Sequence, residues 1–138
     1  MIYKLKYLIV FSFFATALLG ASFGTHAQTN ASTPTAVLFY ADWCGSCKIL
    51  DPKVEEARKN SAAQGIDFVK LDMTDQASRQ KSKQLAETKG LTKLLDTYGY
   101  GTGFMVIYDK KNDKVIKTIT SSQNTTEIVS AFKKASGA

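Results

Sequence analysis

The sequence predicts an α/β domain built on a central mixed sheet of four strands with helices on both faces. Three observations carry this reading. Four short apolar runs, partly β-branched, are spread over residues 35–119. Segments with helical apolar spacing, or rich in helix formers, lie between the first three runs and after the fourth. The third and fourth runs are joined only by the turn-forming residues Asp109 to Asp113, so they form an antiparallel hairpin.

Taken in order, Thr35 to Ala41 (TAVLFYA) is an apolar run suited to a strand buried on both faces. Asp42 to Cys47 then turns the chain into a helix carried by Ile49, Leu50, Val54 and Ala57. Pro52 is expected to kink it, because proline removes one donor, and Ser61 to Gly65 to end it. Ile66 to Leu71 is a second strand. Asp75 to Glu87 is polar but helix-forming, which predicts a solvated extra helical stretch near 75–90, and Leu91 to Tyr98 a further short helix. Gly99, Gly101 and Gly103 interrupt regular structure before the strands Phe104 to Tyr108 and Lys114 to Ile119. Asn124 with Glu127 three residues on matches a capping box, opening a last helix whose apolar face is Ile128, Val129 and Phe132.

The first 27 residues read differently. Lys4 and Lys6 precede an apolar run from Tyr7 to Leu19, and small residues lead to Thr25-His26-Ala27. That order matches a secretory signal peptide cut after Ala27. An uncleaved membrane anchor is the weaker alternative, since a spanning helix needs about 20 apolar residues. The chain is therefore expected to be exported, with the bacterial periplasm as the expected destination. Residues 28–34 read as a flexible lead-in and 35–138 as one domain. Cleavage removes two lysines and no acid, so net charge falls from +6 to +4. The remaining lysines are scattered, without aromatic residues interleaved, which argues for a solvated surface and against nucleic-acid binding.

The chain has two cysteines, Cys44 and Cys47. A disulfide across two residues constrains the unfolded chain little, so a reactive pair is expected rather than a structural staple. The pair follows a strand and opens a helix, where free backbone N–H groups favour a thiolate. Cys44 is then the solvent-facing nucleophile, and Cys47, one turn further in, resolves the mixed disulfide. Beside the pair, Trp43 reads as a packing and recognition residue or a substrate contact. Asp42 reads as a turn residue, and Ser46 as a helix cap or a donor to the thiolate. Tyr98 and Tyr100 read as loop anchors or groove walls.

The stretch Phe39-Tyr40-Ala41-Asp42-Trp43-Cys44-Gly45-Ser46-Cys47-Lys48 resembles the active-site signature of the thioredoxin superfamily. Pro52, the strand Phe68 to Asp72 with Lys70, and Tyr98-Gly99 ahead of Phe104 to Tyr108 extend the likeness over most of residues 35–135. The resemblance implies a thioredoxin-like fold and a thiol–disulfide oxidoreductase serving cell redox homeostasis. It implies no cofactor beyond the Cys44–Cys47 disulfide, protein thiols and disulfides as substrates, and a membrane thiol-transfer protein as electron donor. A monomer is expected. Gly45 and Lys48 favour a reductase or general exchanger over a dedicated oxidase. Gly45 and Ser46 fall where the family tunes redox poise, and Lys70 falls where a lysine can tune the thiols or simply snorkel.

Two positions depart from the family pattern. Leu38 stands where the family has a buried acid assisting the second cysteine. Gly103, or Thr102, stands where it has a cis-proline beside the pair, so a trans, differently shaped loop is expected. These departures keep two alternatives open. One is a copper-binding or delivery protein using the two thiolates, although the chain's one histidine, His26, leaves with the signal peptide. The other is a non-catalytic binding module that kept the fold.

Overall fold

The computed structural model describes residues 33–137, so the signal-peptide reading lies outside the described residues. Four strands, β1 (Thr35–Tyr40), β2 (Asp67–Asp72), β3 (Phe104–Asp109) and β4 (Lys114–Thr120), form one sheet in the order β2-β1-β3-β4. β1 runs parallel to β2 and antiparallel to β3, and β3 and β4 form the expected hairpin, so the sheet is mixed. This is a thioredoxin-like fold.

The two faces of β1 are both buried, as its unbroken apolar run requires. Val37 and Phe39 join Val69, Leu71, Val106, Ala86 and Leu95 in one core layer. That layer lies under α2 (Gln76–Lys89) and α3 (Thr92–Tyr98). Ala36 and Leu38 join Met105, Ile107, Leu50, Val54 and Phe132 in the other. It is roofed by α1 (Gly45–Arg58) and α4 (Thr125–Ser136). Phe68 and Phe132 meet edge to face at 5.2 Å, an aromatic contact that ties the β2 edge to α4.

Several local expectations are met by specific contacts. Asn124 Oδ1 accepts from Glu127 N at 3.0 Å and Glu127 Oε2 accepts from Asn124 N at 2.7 Å, the reciprocal pair of a capping box. The 75–90 stretch is a helix, largely solvated, with Ser82 and Ala86 buried. α1 runs on through Pro52. It stops at Arg58, and a separate 3₁₀ turn covers Ser61–Gly65, because the Asn60 side chain takes up Ala62 N and starts a new turn. Within β4 the predicted alternation buries only Ile119. The strand is an edge, and a register shift at Ile107/Tyr108 in its partner leaves Val115 and Ile116 exposed. Pro34, assigned above to the lead-in, is buried, and its carbonyl accepts from Asp67 N at 2.9 Å. Among the described residues no helix is long and apolar enough to cross a membrane.

The N-terminus of α2 bears on the site, because it follows the turn that holds Trp43. Asp75 caps it, accepting from Ser78 N at 2.7 Å, and that backbone bond is the main cause holding its carboxyl below the usual carboxylate range. A depressed folded-state value contributes stability above the unfolded value and loses it as pH falls through the folded one. Asp75→Ala should therefore lower the urea midpoint at pH 7. The gap to wild type should close as the solution is acidified through the carboxylate range; a gap independent of pH would contradict the cap.

Candidate active site

β1 delivers the chain to the site and α1 begins there. Ala41 O accepts from Cys44 N at 3.1 Å, closing the turn that aims the next residues across the sheet end. Cys44 is itself the N-cap of α1, with extended backbone angles of φ −84° and ψ 110°. Its Sγ lies 3.2 Å from Cys47 N and accepts that bond. A helix start leaves several N–H groups without intrahelical partners, and an oxygen of Ser, Thr, Asp or Asn commonly takes one. Here a sulfur does so. The cap is therefore Cys44, not Ser46 or Asp42.

Cys44 and Cys47 are joined as a disulfide with their Cα atoms 5.3 Å apart. Both are largely covered, which departs from an openly solvent-facing Cys44, yet the order holds: 8% exposure for Cys44 and none for Cys47. Cys47 Sγ lies 3.7 Å from Phe39 O, in β1, so the reduced thiol has a carbonyl to donate to. The same carbonyl accepts from Gly103 N at 3.0 Å, which pins the loop before β3 against the pair.

Gly103 is where the expected departure from the family pattern takes physical form. All described peptide bonds are trans, and Gly103 has φ +92°, a region that side-chain-bearing residues rarely adopt. A Cβ there would sit 3.4 Å from Cys44 Sγ and 3.0 Å from Ser46 Cβ. The structure thus brings Gly103, Ser46 and both cysteines together, with Thr102 half-buried just before them. Gly45 is exposed at the first turn of α1, and a Cβ added to it would meet no atom within 4 Å.

The rim is aromatic and well anchored. Trp43 is 65% exposed beside Cys44, and its Nε1 donates to Thr74 O at 3.0 Å. Thr74 also accepts from Asp42 N through Oγ1 at 3.0 Å, and that hydroxyl donates to Asp72. Tyr40 donates its hydroxyl to Asp42 at 2.8 Å, the main reason it is held above the usual phenol value. Tyr98 packs on Phe39 and Phe104 as a loop anchor, whereas Tyr100 stays exposed with Arg79 of α2 over its ring. Lys70 is engaged by an acid and a ring rather than by the sulfurs directly. Its Nζ pairs with Asp51 at 2.7 Å and lies over the Tyr40 ring. Thr74 and Asp51 are functional neighbours that the sequence alone does not single out. Thr74 lies 31 residues from Trp43 and carries no local signal; Asp51 carries one, its place four residues after Cys47 on the same helix.

The two glycines beside the pair give a direct comparison. Gly103→Ala should cost about 1–3 kcal/mol from the strained backbone alone and slow attack at Cys44. Gly45→Ala should leave stability close to wild type. Equal behaviour of the two variants in urea unfolding and thiol-exchange rate would contradict the described loop.

Comparisons with known proteins agree with this geometry. A thioredoxin family model matches residues 15–90. The chain is 33% identical over 104 residues to a protein disulfide-isomerase of Gallus gallus, covering 73% of this chain and 17% of that protein. It is 56% identical over 46 residues to the mitochondrial thioredoxin of Mus musculus, 33% of this chain and 27% of the relative. It therefore spans less than a third of the length of these curated relatives. Among solved structures, a thiol:disulfide interchange protein of the thioredoxin family from Chlorobium tepidum TLS aligns with a TM-score of 0.53 at 21% identity. The alignment covers 78% of this chain and 82% of that one, and shows the shared fold. With its sheet order, its CXXC pair at a helix mouth and a family match over more than half its length, this chain belongs to the thioredoxin family.

Proposed function

We propose that the protein is a thiol–disulfide oxidoreductase that exchanges its Cys44–Cys47 pair with thiols and disulfides of exported proteins, acting as a monomer. The observation that carries this is the Cys44 sulfur serving as the cap of α1. The bond from Cys47 N strengthens when that sulfur is an anion, and charge at a helix mouth is favoured by about 0.3–2 kcal/mol. A thiolate at Cys44 is both the attacking and the better leaving sulfur.

In the reductive direction the Cys44 thiolate attacks one sulfur of a client disulfide, and the other client sulfur departs as a thiolate. Cys47 then loses its proton and attacks Cys44 Sγ, which breaks the mixed disulfide and frees the second client sulfur. Two electrons pass to the client and the pair ends as a disulfide. Run backwards, the same steps oxidise a client. Trp43 and Tyr100 offer exposed aromatic surface to the polypeptide around the client cysteine.

Gly45 and Lys48 within the Trp-Cys-Gly-Ser-Cys-Lys segment support the reductive direction. The charged, apolar and small-residue order of residues 1–27 supports export to the periplasm. A reductase working there draws electrons from a membrane thiol-transfer protein, since no reduced nicotinamide pool serves that compartment.

Insulin reduction with dithiothreitol as the electron source tests the reading. Cys44→Ser should abolish the catalysed rate, and Cys47→Ser should accumulate a mixed disulfide. Equilibration against glutathione should place the pair nearer to about −270 mV, a reducing value, than to about −120 mV, a strongly oxidising one. A Cys44→Ser protein as fast as wild type would contradict the reading.

A further inference from the structure

Resolution requires Cys47, fully buried, to give up a proton. The strand beneath offers no acid for it: Leu38 is buried, in register with Lys70 on one side and Met105 on the other. Lys70 takes its counter-ion from the helix instead, pairing with Asp51 Oδ2 at 2.7 Å. The other oxygen of that carboxylate is the notable one. Among the described residues only two buried side-chain oxygens lack a hydrogen-bond partner, Thr35 Oγ1 and Asp51 Oδ1. A buried carboxylate oxygen left unpaired costs stability and needs a reason.

Asp51 follows Cys47 by four residues within α1, so the two side chains share a helix face with Cβ atoms about 5–6 Å apart. Asp42 and Asp72 each accept through one oxygen, from Tyr40 and Thr74, and neither has a buried oxygen left without a partner. A groove of about 340 Å³, lined in part by Leu38, Val54, Glu55 and Lys70, opens beside the Lys70 member of the ion pair, and the Asp51 side chain is itself 23% exposed.

We propose that Asp51 is the proton acceptor for Cys47, its Oδ1 taking the thiol proton as Cys47 attacks Cys44 Sγ; the assignment rests on the exchange reading above. The proton moves from Cys47 Sγ to Asp51 Oδ1, the new bond forms between the two enzyme sulfurs, and the client sulfur leaves with the electron pair of the broken bond. Asp51, partly exposed on the side of its other oxygen, then releases the proton to solvent. In the oxidative direction it returns a proton to Cys47. Lys70 holds the carboxylate in place through Oδ2 and leaves Oδ1 free. Besides Lys70, the titratable groups facing this region are Tyr40 of β1, on which Asp51, Asp42 in the turn and Asp72 at the end of β2 all act, and Glu55 one turn on in α1, where Arg58 pairs with it.

The test mixes the reduced full chain with 5,5′-dithiobis(2-nitrobenzoate) and follows thionitrobenzoate release by stopped flow across pH. The first release reports attack by Cys44 and the second reports resolution by Cys47. Asp51→Asn should slow the second phase at least about tenfold, a low value for removal of a general base, flatten its pH profile and leave the first phase unchanged. Asp51→Glu should recover much of the rate. Asp51→Asn combined with Lys70→Met removes both members of the ion pair, so no unmatched charge threatens folding, and should give the same selective loss. A second phase unchanged in Asp51→Asn, or both phases slowed alike, overturns the assignment alone. A wild-type protein that releases no second thionitrobenzoate overturns the exchange reading with it.

Discussion

The hydrogen bond from Cys47 N to Cys44 Sγ is the interaction on which the rest depends. It is at once a structural cap and a chemical device. A helix must satisfy its first N–H groups, and this one spends a nucleophile's sulfur on the task. The sheet exists, from the site's point of view, to hold that sulfur at the helix mouth. β1 ends at Tyr40, Ala41 O closes the turn, and Phe39 O fixes both the inner sulfur and the Gly103 loop. Because Phe39 and Ala41, two residues apart at the end of β1 and just beyond it, supply these anchors, the positions of Cys44, Cys47 and Gly103 are correlated and cannot drift apart independently.

Much of this is legible in the sequence. Strand runs, the hairpin turn and the Asn124–Glu127 box are local patterns, governed by neighbours within four or five residues, and the structure reproduces them. The cysteine pair is equally legible, because its position between an apolar run and a helix is itself the chemistry. What cannot be read depends on contacts distant in sequence. Thr74 anchors Trp43 and Asp42 only once β2 lies beside β1. Lys70 meets Asp51 only once α1 lies across the sheet. The cap also differs from expectation for a plain reason: sulfur is an uncommon cap, so Ser46 and Asp42 look better qualified than Cys44.

The two departures from the family pattern have different physical outcomes. At Gly103 the loop keeps its place against the sulfurs through a backbone hydrogen bond and a left-handed conformation. Contact with Cys44 is preserved while the bulk of a side chain is given up. At Leu38 the strand position is part of the apolar core, and Lys70 takes its counter-ion from Asp51 on α1. In both cases the surroundings retain a geometry compatible with exchange, which argues against a merely inherited scaffold.

The central claim, a Cys44 sulfur held as an anion by the mouth of α1, is tested most directly by iodoacetamide alkylation of the reduced protein as a function of pH. The account predicts that Cys44 reacts first, with a midpoint below the free-thiol value of about 8.5, while Cys47 stays protected until the protein unfolds. Alkylation of Cys44 with an ordinary thiol midpoint, or of Cys47 before Cys44, would contradict it.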